Sequence, residues 1–132
     1  MLAETKLSPH SALPWISLAA ISLRRHLPAD ALRQAQTAVA LAPQSAEAHY
    51  QLGRAWLESG NAKSAITELN QASALKPNTP EIHFALARAY AKDRQPQKAA
   101  AERATFMQLK SIAAQSARPG VQPQSILNSD RQ

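Results

Sequence analysis

The chain has 132 residues, 45% of them hydrophobic but only 5% aromatic, and fifteen Lys and Arg against nine Asp and Glu give a net charge of +6. That length holds one domain with a continuous core and leaves no room for a catalytic domain beside a regulatory one, while the lack of cysteine removes disulfides, thiolate metal sites and cysteine nucleophiles. An apolar share drawn mostly from alanine and leucine predicts helices, and three glycines with no alternating polar and apolar stretch argue against a sheet.

Residues 1–11 read as an N-terminal segment. The longest apolar run, Ala12 to Leu23, is broken by Ser17 and Ser22 and is shorter than the roughly 20 residues a membrane-spanning helix needs. It is also a poor signal peptide, because Glu4 precedes it together with Lys6 and it leads into Arg24, Arg25 and His26 instead of a small-residue cleavage site. Nothing here fixes a compartment, and a cytoplasmic one is the marginal expectation. Trp15, Ile16, Leu18, Ala19, Ala20, Ile21 and Leu23 make the first helix apolar nearly all round, so it is expected to be covered on both sides. A missing upstream repeat, the segment Met1 to His10, a second copy or a partner would each cover it, and an incomplete array or self-association is the favoured expectation.

Further on, His49, Leu52, Gly53 and Trp56 fall at the i, i+3, i+4, i+7 spacing of one helix face. Ser59, Gly60 and Asn61 then end that helix and cap the next, which Ala65, Leu69, Ala72 and Leu75 mark until Pro77. Thr79, Pro80 and Glu81 supply a hydroxyl cap, a first-turn proline and a first-turn acid for another helix. The last helix begins near Pro96 and is polar on its outer side, as the end of a helical array must be. Residues 114–132, with Pro119, Gly120, Pro123 and several Gln and Ser, read as a disordered tail.

These elements repeat. At an offset of 34 residues, the nine positions from Glu47 to Ala55 return five identities: Glu47 with Glu81, His49 with His83, Leu52 with Leu86, Arg54 with Arg88 and Ala55 with Ala89. The same offset pairs Gly53 with Ala87, Trp56 with Tyr90, Ala65 with Ala99, Ala38 with Ala72 and Pro43 with Pro77, and a weaker copy runs back through Trp15, Leu18, Ala19 and Ala31. Three repeats follow, 12–45, 46–79 and 80–113, each a helix, a turn and a helix. Small residues such as Gly53, Ala65 and Ala72 let the two helices approach, and stacked pairs bury what a single pair leaves open.

His49, Leu52, Gly53, Trp56, Ala65, Leu69, Ala72 and Pro77 resemble the tetratricopeptide-repeat signature, over Ala12 to about Ala113. The outer copies depart from it: Ser22 replaces an aromatic, Arg103 fills a usually apolar slot, and Ser111 stands where the proline would fall. The resemblance implies an all-α, right-handed α-α superhelix, a solenoid of three helix-turn-helix repeats whose first helices line a concave groove. Carried onto this chain, the groove positions are Glu47, Tyr50, Arg54 and Leu57, then Glu81, Phe84, Arg88 and Ala91. Pentatricopeptide RNA-binding repeats are the nearest competing family, and their longer period does not match this phase. Chaperone-binding members grip a terminal carboxylate with lysine and asparagine, whereas this chain has Ile16, Ala20, Tyr50 and Arg54 where that clamp would begin.

The implied function is a protein- or peptide-binding scaffold or adaptor. Tyr50 and Phe84 would be apolar anchors, Arg54 and Arg88 anion contacts that fork two hydrogen bonds to a carboxylate, and Glu47 and Glu81 rim selectors. The plain alternative is that the aromatics cover the groove floor and the arginines pair with Glu58, Glu47 and Glu81 on a solvated face. His49 and His83 recur in register at a packing position, with no third ligand in phase, so a core role is expected instead of a metal site. No nucleophile elbow, phosphate loop or paired carboxylates are visible, so neither an enzyme nor a cofactor is expected. The third repeat is basic, and its dispersed Lys and Arg read as a soluble face more than as a specific nucleic-acid site. Two further functions stay open: the C-terminal portion of a longer repeat protein that recruits or regulates another domain, and a basic nucleic-acid-binding module.

Overall fold

The structure, a computed structural model, describes residues 11–117. Six helices follow one another: α1 (Leu13–Arg24), α2 (Pro28–Leu41), α3 (Ala46–Glu58), α4 (Ala62–Leu75), α5 (Pro80–Lys92) and α6 (Pro96–Ala117). There is no strand among the described residues. The helices pair as α1 with α2, α3 with α4 and α5 with α6, and the pairs stack in chain order through α2 against α3 and α4 against α5. This is the all-α solenoid of stacked helix-turn-helix pairs that the resemblance implies.

Local sequence sets the helix ends. The Ser45 hydroxyl accepts the Ala48 amide at 3.1 Å at the start of α3, and the Asn61 side chain accepts the Ser64 amide at 3.0 Å at the start of α4. Proline lies in the first turn of α1, α2 and α5, where its missing N–H costs nothing. Within each pair the turn is one motif in three copies: the amide of Leu27, Asn61 or Gln95 donates to the carbonyl of Ser22, Trp56 or Tyr90 at 2.8–2.9 Å. Its left-handed residue is His26 (φ 60°), Gly60 (φ 90°) and Arg94 (φ 60°), each 34 residues from the next.

Leu69 and Leu86 are the largest fully buried side chains, and they share one cluster with Leu57, Ala72, Ile82, Ala89 and Tyr90. A second cluster joins Ala19 and Ala35 to Leu52 across the first seam, and Trp56 packs against both. Gly53 permits the closest approach: a Cβ there would sit 2.6 Å from Leu69 Cγ. Ser22, in the slot of Trp56 and Tyr90, is buried against Gln34, whose amide nitrogen, turned toward α1, reaches Ser22 Oγ at 2.7 Å and the Leu18 carbonyl at 3.0 Å.

One expectation needs correction. α6 runs to Ala117, so residues 114–117, assigned to the tail, are helical; the rest of that tail and residues 1–10 lie outside the described residues. Among the described residues α1 is covered on one side only. Ala19, Ser22 and Leu23 are buried, whereas Leu13, Leu18 and Ile21 face outward, because no helix pair precedes α1 among the described residues. No helix of the described residues is long and apolar enough to cross a membrane.

Candidate functional site

Stacking sets α3 beside α5 and brings most of the expected groove residues into one neighbourhood. Tyr50 is half-buried, and the Arg54 guanidinium, one helical turn on, lies 5.5 Å from its ring centroid. Burial pushes the Tyr50 phenol above its ordinary range; the charges of Arg54 and Arg88 pull it back and that of Glu81 pushes it further up. The phenol therefore stays a neutral donor, and the three charges that act on it come from both first helices.

The arginines differ in what holds them. Arg88 approaches the Glu58 carboxylate across the seam at 3.9 Å, with both side chains 44% exposed, a contact worth little in water. Arg54 donates to the neutral Gln51 side chain at 3.2 Å and meets no carboxylate within ion-pair distance among the described residues. Glu47 pairs not with an arginine but with Lys76, at 2.7 Å, and that ammonium holds its carboxyl below the usual range. The charge on Arg54 is thus left available beside an aromatic face.

Between the N-terminus of α3 and the turn into α5 lies a cavity of about 210 Å³, lined by Ala46, Glu47, Tyr50, Lys76, Thr79 and Ile82. Its lining is mostly apolar, with Glu47, Lys76 and Thr79 as the polar side chains. Phe84 is 47% exposed and packs against Phe106 of α6 at a centroid distance of 5.2 Å with the rings tilted by 48°. Glu81 is exposed on the same helix.

Leu57 does not belong to this surface. It is 4% exposed and lies in the core with Leu69, Ile82 and Leu86, because the second seam closes over the C-terminal half of α3. Phe106, Lys76, Thr79 and Ile82 escaped the sequence reading. Phe106 had a signal, since it stands in the phase of Ala38 and Ala72, and a bulky residue in a small-residue slot marks a place where the repeat has been altered. Lys76, Thr79 and Ile82 had none, because they come to line one cavity with Tyr50 only when the helix pairs stack.

His49 and His83 are buried, and both are also tied down by polar contacts. His49 Nε2 donates to the Pro43 carbonyl at 2.8 Å and Nδ1 meets Glu68 Oε1 at 2.8 Å; His83 repeats this with Pro77 at 2.6 Å and Glu102 at 2.7 Å. A carboxylate thus does face each ring, contrary to the reading from phase alone, but as a structural partner. No group of three or more His, Cys, Asp or Glu side chains converges among the described residues.

A family model described as tetratricopeptide repeat matches residues 22–89. No curated protein matches the chain by sequence. Among solved structures, a crystal structure of MamA superposes with a TM-score of 0.74 at 26% identity, covering 80% of this chain and 62% of that one. MamA 41-end from Desulfovibrio magneticus RS-1 gives 0.72 at 25% identity, covering 80% and 60%. The Yersinia enterocolitica type III secretion translocator chaperone SycD, solved as an alternative dimer, gives 0.71 at 18% identity, covering 95% and 88%; that likeness shows the fold alone. The chain spans about three-fifths of the length of the MamA chains it matches.

Proposed function

The chain belongs to the tetratricopeptide repeat family, and we propose that it acts as a non-catalytic scaffold that binds a peptide segment of another protein along α3 and α5. The observation that carries this reading is Arg54, a guanidinium over the ring of a half-buried tyrosine with no carboxylate within ion-pair distance among the described residues. A carboxylate from a partner would complete it through two parallel hydrogen bonds, each bond to a charged group contributing about 1.5–3 kcal/mol. The cavity beside Tyr50 is suited to an apolar side chain of the same segment, and the exposed Phe84–Phe106 pair offers a second apolar anchor. Glu47 and Glu81 at the rim would disfavour a second acid nearby.

Selection of a random peptide display library on the full chain tests this. The expected binders carry an Asp, Glu or free C-terminus within a few residues of a large apolar side chain. Arg54→Ala is expected to weaken them about 10-fold or more, in line with the loss of a charge-assisted pair, and Tyr50→Ala by a similar factor. Binders that lack acids, or that tolerate both substitutions, would remove the groove from consideration.

A further inference from the structure

The turns inside the helix pairs stack along one edge of the solenoid, while the turns between pairs lie on the opposite edge, with the cavity. Cations that are dispersed in the sequence gather on the first of these edges. Arg24 and Arg25 end α1, Lys92 ends α5 and Arg94 sits in the turn that follows it. Lys98, in the first turn of α6, lies 5.7 Å from the Tyr90 ring centroid. All of them are exposed, and none has a carboxylate within ion-pair distance among the described residues. The acids in or beside these turns already face other cations: Asp30 meets Arg33 at 3.1 Å, Asp93 meets Lys63 at 3.1 Å, and Arg88 approaches Glu58 at 3.9 Å.

The third turn also carries strain that the fold does not require. Arg94 takes a φ of 60° at the position where Gly60 takes 90°, and only glycine adopts that region without cost. The Arg94 side chain makes no hydrogen bond or ion pair among the described residues. Nothing inside the molecule therefore accounts for an arginine there. Strain held at an exposed, unpartnered cation points to a role outside the fold.

We propose that this edge docks the phosphate backbone of duplex nucleic acid without reading its sequence. The surface is separate from the groove on α3 and α5 and does not rest on that reading. Guanidinium groups fork two hydrogen bonds to phosphate oxygens, and the spacing of the cations suits two strands. Glu58 stands in the register of Arg24 and Lys92, so the charge falls into two lobes, one at the first turn and one at the third. Two helix-packing steps separate the lobes by roughly 16–20 Å. That exceeds the ~12 Å width of a major groove, so each lobe can meet a different strand. A single strand uses exposed aromatic faces on which its bases stack, and the Tyr90 ring beneath Lys98 is buried. A bilayer adds inserted apolar side chains to the charge; Leu27 is exposed at the first turn, but its counterparts in the other two are Asn61 and Gln95.

The test is fluorescence anisotropy of the full chain with a labelled DNA duplex of about two helical turns, titrated between ~50 and ~200 mM salt. Saturable binding that does not depend on sequence is expected. The logarithm of the association constant should fall against that of salt with a slope of about −4.5, as five phosphate contacts give. Arg94→Gly removes the cation while keeping the left-handed turn, so the variant stays folded by circular dichroism. It should weaken binding about 8-fold at ~0.1 M salt and make the slope shallower by about 0.9. Lys110→Ala, in the register of Lys76 on the opposite edge, should change neither. Absence of saturable binding at the lowest salt overturns the proposal. So does an Arg94→Gly effect no larger than that of Lys110→Ala, since net charge would then be the whole attraction. Tighter binding to the same strand unpaired, or to phosphatidylserine vesicles at equal phosphate concentration, would overturn the assignment to a duplex.

Discussion

His49 and Glu68 meet at 2.8 Å across the second helix pair, and His83 and Glu102 repeat the contact at 2.7 Å across the third. In the first pair the two positions are Trp15 and Gln34, so the acid is present only where the histidine is. The proton count explains the match. Each Nε2 must donate to a proline carbonyl, so the contact between Nδ1 and the carboxylate needs one more proton on either group. A tryptophan makes no such demand, and Gln34 turns instead to Ser22 and the Leu18 carbonyl.

Glu68→Ala is therefore expected to lower stability by about 1–3 kcal/mol, the cost of leaving a buried ring nitrogen without its partner. The same substitution in a His49→Trp background should cost markedly less, with a coupling of about 0.5–3 kcal/mol for residues in direct contact. Urea unfolding of the four proteins measures it; additive effects would mean that the two side chains stabilise the fold independently.

The turn motif supplies a second prediction. His26 and Arg94 hold the left-handed conformation that Gly60 adopts without strain. His26→Gly and Arg94→Gly are each expected to leave stability unchanged or raise it by up to about 1 kcal/mol, strain relief being partly offset by unfolded-chain entropy. Gly60→Ala is expected to lower it by about 1 kcal/mol, although open space surrounds its Cβ position. Thermal melts that rank the three the other way would contradict the assignment of these turns.

Much of the fold could be read from the sequence because the 34-residue offset is a property of packing positions, and small, apolar and turn residues recur wherever backbones cross or reverse. The site was legible only in part. Tyr50, Arg54, Phe84 and Arg88 follow from the phase of the first helices, whereas the burial of Leu57 depends on how far α5 closes over α3. The Lys76–Glu47 pair joins residues 29 apart and exists only because one loop passes the start of α3. Phase alone could not reveal Glu68 and Glu102 as histidine partners, since they sit on the facing helix, 19 residues on.

Gly53 and Leu69 are a matched small and large pair, with Ala19 and Ala35 in their places in the first repeat and Ala87 and Arg103 in the third. Gly53→Ala drives its Cβ to within 2.7 Å of Leu69 Cγ and Cδ2. The fully buried leucine cannot swing clear, so overpacking should cost about 1–3 kcal/mol against a helix-propensity gain of about 1. In a Leu69→Ala background, which reproduces the Ala19–Ala35 combination, Gly53→Ala should become stabilising. Chemical denaturation of both singles and the double tests it, and a Gly53→Ala effect of the same sign in both backgrounds would separate the two positions.

The geometry around Tyr50 can be checked without a ligand. Subtracting the alkaline absorbance titration of Tyr50→Phe from that of the wild type isolates this phenol, and its midpoint should lie above 10 because burial disfavours the phenolate. The neighbouring charges then have fixed signs. Arg54→Ala and Arg88→Ala remove cations that favour the phenolate, so each should move the midpoint further up; Glu81→Gln removes an anion that opposes it and should move the midpoint down. Stability follows the same linkage. A phenol with its folded pKa raised contributes fully below the unfolded value near 10, and that contribution is lost as pH rises through the folded pKa. Tyr50→Phe should accordingly flatten the fall in stability above pH 10. If Arg54→Ala and Glu81→Gln shifted the midpoint in the same direction, the two charges would not both bear on Tyr50, and the site joining α3 to α5 would have to be redrawn.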